Sequence, residues 1–193
     1  MHEDIAAFPN QEFYDGRLQN GGEIEKLGKV SPILVSHVNG HERRDGTSRY
    51  NIKEIEEVVD YATRLLNQTD LKPGDIGIAA AYRSQADRIE NRVEKLDNED
   101  YSNIDISTFD AFQGSERETM LLSFTVSNNR GDLGFLSKGQ GARRLNVAMT
   151  RAQRHLALFG DWIHFVQILT ADLSGYTRRW KIGEKSSESA LRE

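Results

Sequence analysis

The sequence predicts an α/β domain built on a mostly parallel sheet. Three observations predict it. Short apolar runs alternate with amphipathic stretches of helical period along 193 residues, the pattern that joins parallel strands through helical crossovers. No self-similarity recurs at periods of 20–50 residues, which sets aside solenoids and propellers. The chain has no cysteine, so neither a disulfide framework nor a thiolate-held metal stands in for a core. A chain of this size buries enough apolar surface to hold itself.

The elements follow in order. Residues 1–30 fit the alternation poorly: Phe8-Pro9, Phe13-Tyr14 and Leu18 are irregularly spaced and Gly21-Gly22 breaks the chain, so this stretch is expected to be a lead-in packed on a domain spanning 31–173. Pro32 to Val38 reads as a buried strand and His41 to Arg49 as a polar loop. Asn51 opens a helix, with Glu54 completing a capping box. Ile52, Ile55, Val58, Val59, Ala62, Leu65 and Leu66 form its apolar face. Pro73-Gly74 turns the chain into a strand at Ile76 to Ala81. Ser84 with Asp87 is expected to cap the next helix, whose apolar face is Ala86, Ile89, Val93 and Leu96. Strands are expected at Ile104 to Phe109, Thr119 to Val126 and His155 to Phe159, a short helix at Arg143 to Ala152, and a closing helix at Trp162 to Leu169. The tail, 174–193, is polar, charge-balanced and expected to be partly disordered.

Charge and hydropathy exclude several functions. Thirty acidic residues against 25 basic leave a net charge of −5, so any polyanion site must be local. No apolar run approaches the roughly 18 residues that cross a bilayer. The acidic start, Met1-His2-Glu3-Asp4, has no apolar segment of a signal peptide behind it. An intracellular, soluble protein with no membrane partner is the expectation.

Two features carry chemistry. From Leu133 to Gly160 there is no Asp or Glu, while Lys138, Arg143, Arg144, Arg151 and Arg154 fall there. A solvated basic face accounts for this. So does an anion site, since Arg presents a rigid fork to phosphate oxygens and these arginines surround the apolar Leu145 to Met149. The second feature is Thr108 to Glu116 (TFDAFQGSE), between two strands. Ser107 and Thr108 lie at a strand's carboxyl end, where open α/β sheets place ligands. Gly114 would let a backbone N–H approach an anion. A plain turn with Phe109 and Phe112 as core is the alternative. Other sites fail. No Gly-x-x-x-x-Gly-Lys-Ser/Thr is present, Gly139-Gln-Gly141 lacks the third glycine of a dinucleotide fingerprint, and Asn39-Gly40 breaks any helix that would align His37 with His41. No metal site is expected.

Taken together, these segments resemble the motifs of superfamily-1 helicases. Ile106 to Glu116 resembles motif V, Arg143 to Ala152 motif VI, and Ile76 to Gln85 motif IV. Phe8 to Leu18 resembles the block leading into the second motor domain, and Asn128 to Leu136 the loop between motifs V and VI. The subgroup is the 5′-to-3′ type that includes the nonsense-mediated-decay and immunoglobulin-mu-binding helicases. The resemblance implies a second RecA-like domain without its own P-loop. ATP with Mg²⁺ would be held mainly by a first RecA-like domain. Arg151 would be the arginine finger on the γ-phosphate. Arg144, Glu116, Gly114 and Gln113 would bind ATP. Ser107, Thr108, Tyr82 and Arg83 would contact single-stranded nucleic acid. Two departures stand out: Ala80-Ala81 replaces the Thr-Pro that often precedes the motif IV tyrosine, and the Gln-Tyr-Arg-Met-His block that precedes Phe8 in relatives is cut to Met1-His2. The resemblance thus implies a fragment of a motor, inactive alone. A non-catalytic RecA-like module that binds nucleic acid or protein is the alternative.

Overall fold

The computed structural model describes residues 1–19, 22–112, 116–128, 132, 134 and 141–165. Five strands form one sheet in the order β1-β7-β6-β4-β5, with every pairing parallel. They are β1 (Ile33–His37), β4 (Ile76–Ala80), β5 (Asp105–Thr108), β6 (Arg117–Ser123) and β7 (Ala152–Gly160). Each coincides with an expected strand to within a few residues. The interior strand β4, between β6 and β5, is buried along its whole length, as a strand covered on both faces should be.

Helices cover the two faces. On one lie α2 (Ile52–Gln68) and α3 (Arg83–Val93), burying Val58, Val59, Ala62 and Ile89 against Ile78, Leu121 and Ala157. The opposite face is covered by α1 (Glu3–Phe13), α4 (Gly141–Met149) and the return from β5, with Ile5, Phe109, Phe112, Met149 and Phe165 packed on Met120, Leu122 and Leu156. Burying each such Leu, Ile or Phe is worth about 1.5–3 kcal/mol. The expected α2 stripe is buried except at its two ends: Ile52 is 40% exposed and Leu66 is half-buried.

Four local expectations are corrected. The irregular lead-in contains a helix, α1, in spite of Pro9 within it. An interior proline costs about 3 kcal/mol. Here the helix is held from outside: Ile5 is fully buried, and the His2 amide donates to the Gln153 carbonyl at 2.6 Å. The polar loop at His41 to Arg49 is a hairpin, β2 (Arg43–Asp45) and β3 (Ser48–Tyr50), turned through Gly46-Thr47 with Gly46 at φ +58°. Ser84 and Asp87 do not cap α3. Tyr82 is its N-cap residue, the Ser84 amide donates instead to Ser48 Oγ of the hairpin at 3.0 Å, and Asp87 pairs with Arg83. Asn51 does cap α2, accepting from the Glu54 amide, but Glu54 does not return the bond: the Asn51 amide donates to Gln85 Oε1 at 2.8 Å.

Gly77 shows how closely the 109–112 return lies on the sheet. A Cβ there would come within 2.6 Å of Met120 Sδ and 2.9 Å of a Phe112 ring carbon. Gly77→Ala should therefore overpack this face and destabilise the chain by about 1–3 kcal/mol. Urea unfolding followed by circular dichroism checks it: the midpoint should fall at unchanged slope.

Candidate functional site

Parallel strands share a polarity, so the sheet has one carboxyl end and one amino end. The expected site residues divide between them. At the carboxyl end, β5 finishes on Thr108 and β4 on Ala80; these two are register partners, and Ser107 pairs with Ala79. Side chains alternate along a strand. Ile106 packs with the α2/α3 face, so Thr108 lies on that face and Ser107 on the other. Two residues past β4, Tyr82 begins α3, and Arg83 projects into solvent with an ion pair to Asp87 at 2.7 Å. The Arg49 guanidinium sits over the Tyr82 ring, 5.6 Å from its centre. Ser107, Thr108, Tyr82 and Arg83 thus share one end of the sheet.

At the amino end stand Glu116 and Arg151, each one residue before its strand. The Arg117 amide donates to the Arg151 carbonyl at 3.0 Å, and Gln153 Nε2 donates to Glu116 Oε2 at 3.0 Å. Arg151 is half-buried. Its Nε donates to the Val147 carbonyl at 3.1 Å and one terminal nitrogen to Thr150 Oγ1 at 3.3 Å. Among the described residues no carboxylate lies within ion-pair distance of it. Arg144 is seven residues earlier, about 10 Å along the same helical path. It is exposed and pairs with Asp110 at 3.2 Å. Arg154, also in the acid-free stretch, binds Glu118 at 2.7 Å, Asp70 at 3.8 Å and the Lys26 carbonyl. It is a structural cation. Lys138, Gln113 and Gly114 lie outside the described residues. Among the described residues no group of His, Asp and Glu is placed to hold a metal ion, and no helix is long and apolar enough to cross a membrane.

Sequence reasoning missed a buried polar knot at the carboxyl end of β6. Glu54 is fully buried. Its Oε1 accepts from Ser123 Oγ at 2.6 Å and from the Thr125 amide at 2.8 Å. Gln85 Nε2 donates to the same Ser123 hydroxyl at 2.9 Å, while its Oε1 accepts from Asn51. Thr125 has φ +70°, a strained conformation for a β-branched residue, costing on the order of 1–3 kcal/mol. Among the described residues Glu54 Oε2, Asn51 Nδ2 and Thr125 Oγ1 have no partner. One signal was available: Glu54 falls on the apolar stripe of α2, four residues before Val58 and eight before Ala62.

Burial pushes the Glu54 carboxyl up from 4.5 to about 7, opposed by its bonds to Ser123 and Thr125. The folded state therefore holds this proton more tightly than the unfolded chain does. Its contribution to stability falls as pH rises from about 4.5 to about 7 and is level above that. Glu54→Gln keeps the acceptor and removes the charge. It should remove this part of the pH dependence, so that the stability of the variant relative to wild type rises between pH 4.5 and pH 8 by on the order of 1–3 kcal/mol. Urea titrations of both proteins at pH 4.5, 6 and 8 read the difference directly.

An all-parallel sheet clothed by helices on both faces is the architecture of a RecA-like α/β domain, and this sequence carries no phosphate-cradling loop of its own. Residues 1–162 match the family model described as "AAA domain", and the chain belongs to that family. It is 36% identical over 173 residues to helicase sen1 of Schizosaccharomyces pombe. The identity is 35% over 176 residues with a regulator of nonsense transcripts 1 homolog of Neurospora crassa, and 31% over 178 residues with DNA-binding protein SMUBP-2 of Mus musculus. Each alignment takes in 83% of this chain but only 10%, 16% and 17% of the respective relative. The chain is thus a helicase-family domain, homologous to one portion of much longer proteins.

Proposed function

We propose that this chain is the second motor domain of an ATP-dependent nucleic-acid helicase, supplying Arg151 as arginine finger and its carboxyl-end edge as part of the single-strand track. The observation that carries the reading is Arg151 itself. Its guanidinium is oriented by a main-chain carbonyl and faces no carboxylate among the described residues, so its charge is left for an anion. That fits a triphosphate presented by another domain. The other domain, a first RecA-like half of the same parent, would hold ATP with Mg²⁺ through its P-loop. Glu116, Gln113, Gly114 and Arg144 would complete the nucleotide contacts from this side, Arg144 after exchanging its exposed pairing with Asp110. The finger stabilises charge that develops on the transferring phosphoryl group. Thr108, Ser107, Tyr82 and Arg83 would touch the strand at the other end of the sheet. Closing the cleft around ATP then moves one strand-binding edge relative to the other. The helicase names of the relatives support this reading.

The purified chain should show no ATPase above background, with or without single strands, for want of a P-loop. In the two-domain parent, Arg151→Ala should lower kcat about 10³-fold or more while ATP affinity stays within a few-fold. An unchanged kcat would make Arg151 structural. The isolated chain should bind a short oligonucleotide at tens of micromolar or more weakly, as nonspecific binders do at physiological salt. Thr108→Ala should weaken this binding and Arg151→Ala should not. Fluorescence anisotropy reads both. A loss caused mainly by Arg151→Ala would move the strand to the basic cluster and favour a stand-alone binding module.

A further inference from the structure

The β2–β3 hairpin carries three arginines on a chain of net charge −5, and the fold uses them differently. Arg49 is spent internally. It binds Glu42 at 3.0 Å and Asp132 at 2.6 Å and covers the Tyr82 ring. Arg43 and Arg44 are exposed, and among the described residues no carboxylate lies within ion-pair distance of either.

The hairpin is fixed against the carboxyl end of the sheet from two sides. On one, Ser84 Oγ and Arg88 both donate to Asp45, and the Arg88 guanidinium stacks 3.9 Å over the Tyr50 ring. On the other, Glu42 Oε2 accepts from the Ser127 amide and from Asn128 Nδ2. Register then decides where the free arginines point. Arg43 is opposite Tyr50 and Arg44 opposite Arg49. Cross-strand partners share a face, with Cβ atoms roughly 5 Å apart. Arg43 therefore shares the face that stacks on α3, and Arg44 shares the face that carries Arg49 over Tyr82.

We infer that Arg44 extends the single-strand track onto the hairpin, contacting a backbone phosphate beside Tyr82. This rests on the reading of the Thr108–Tyr82 edge as that track. Arg44 supplies what the edge lacks, because of its residues Ser107, Thr108, Tyr82 and Arg83 the one cation is Arg83, which already shares its charge with Asp87. The contact is to phosphate, so it is indifferent to base. The competing use of exposed arginines on a hairpin is to discourage edge-to-edge pairing. That use would not distinguish Arg44 from Arg43.

The test is anisotropy of a labelled twelve-nucleotide oligothymidylate titrated with the full chain between 25 and 200 mM NaCl. Arg44→Ala should reduce the salt slope by about 0.7, the value of one phosphate on a single strand, and weaken binding about fivefold to tenfold at 50 mM. Arg44→Lys should keep most of the slope, and Arg43→Ala should leave it unchanged. An unaltered slope in Arg44→Ala, or an equal loss in Arg43→Ala, overturns the contact. If Thr108→Ala weakens binding while Arg44→Ala does not, the track stands and the hairpin contact falls. Absence of binding by the wild-type chain at 25 mM salt overturns both.

Discussion

The carboxyl end of β6 depends on one buried carboxyl group. Glu54 reaches from the first turn of α2 to accept from Ser123 and Thr125, and Gln85 ties the same hydroxyl to the first turn of α3. Three elements far apart in sequence are joined at one oxygen cluster. Removing the acceptor would leave the Ser123 O–H and the Thr125 N–H, two buried donors, without it, each costing about 1–3 kcal/mol. The same bonds hold Thr125 in its left-handed conformation and so set the direction in which the chain leaves β6. Tyr82, at the start of α3, inherits its position from this knot. A local polar economy in the core thus places residues at the surface.

The second organising fact is polarity. With every pairing parallel, residues entering strands and residues leaving them are separated by the strand length. Thr108 and Ala80 stand level with Ser123, seven residues past Glu116 along β6, about 23 Å at the rise of a parallel strand. Glu116 and Arg151 enter; Thr108 and Tyr82 leave. An anion held at the first pair cannot touch a strand held at the second, so communication between them must pass through the sheet or through movement of the domain as a body. The close packing of the faces, Gly77 under Met120 and Phe112, favours the body.

The sheet was legible because its signal is redundant: five apolar runs, each bounded by turn residues or helical period, admit few other arrangements. What was not legible was decided by tertiary contact. Pro9 argues against a helix, and only the burial of Ile5 and the His2–Gln153 bond overrule it. The hairpin is polar on both strands, so it carries no alternation; its strands exist because Ser48, Asp45 and Tyr50 find partners on α3. Ser84 looks like a cap because serine commonly is one, yet its amide needs an acceptor that comes from 36 residues upstream. At the candidate site the residue types were readable and their commitments were not. Arg151 and Arg154 sit three apart in the same acid-free stretch, and only the fold shows that Arg154 is bound by Glu118 and Asp70.

That distinction changes how the charge of the chain should be read. A net charge of −5 suggests repulsion of a polyanion, but at 0.1 M salt fields fade over about 10 Å. What a phosphate meets is the set of cations left after internal pairing. Arg49, Arg88, Arg117 and Arg154 are each matched by Glu or Asp and count for little outside. Arg43, Arg44, Arg143 and Arg151 have no such match among the described residues. Composition sums the two groups together and hides the second. An acidic chain can therefore leave arginines unmatched at both ends of one sheet, Arg44 beside the carboxyl end and Arg151 at the amino end, because part of its acid is consumed in pairing the arginines that hold the fold together.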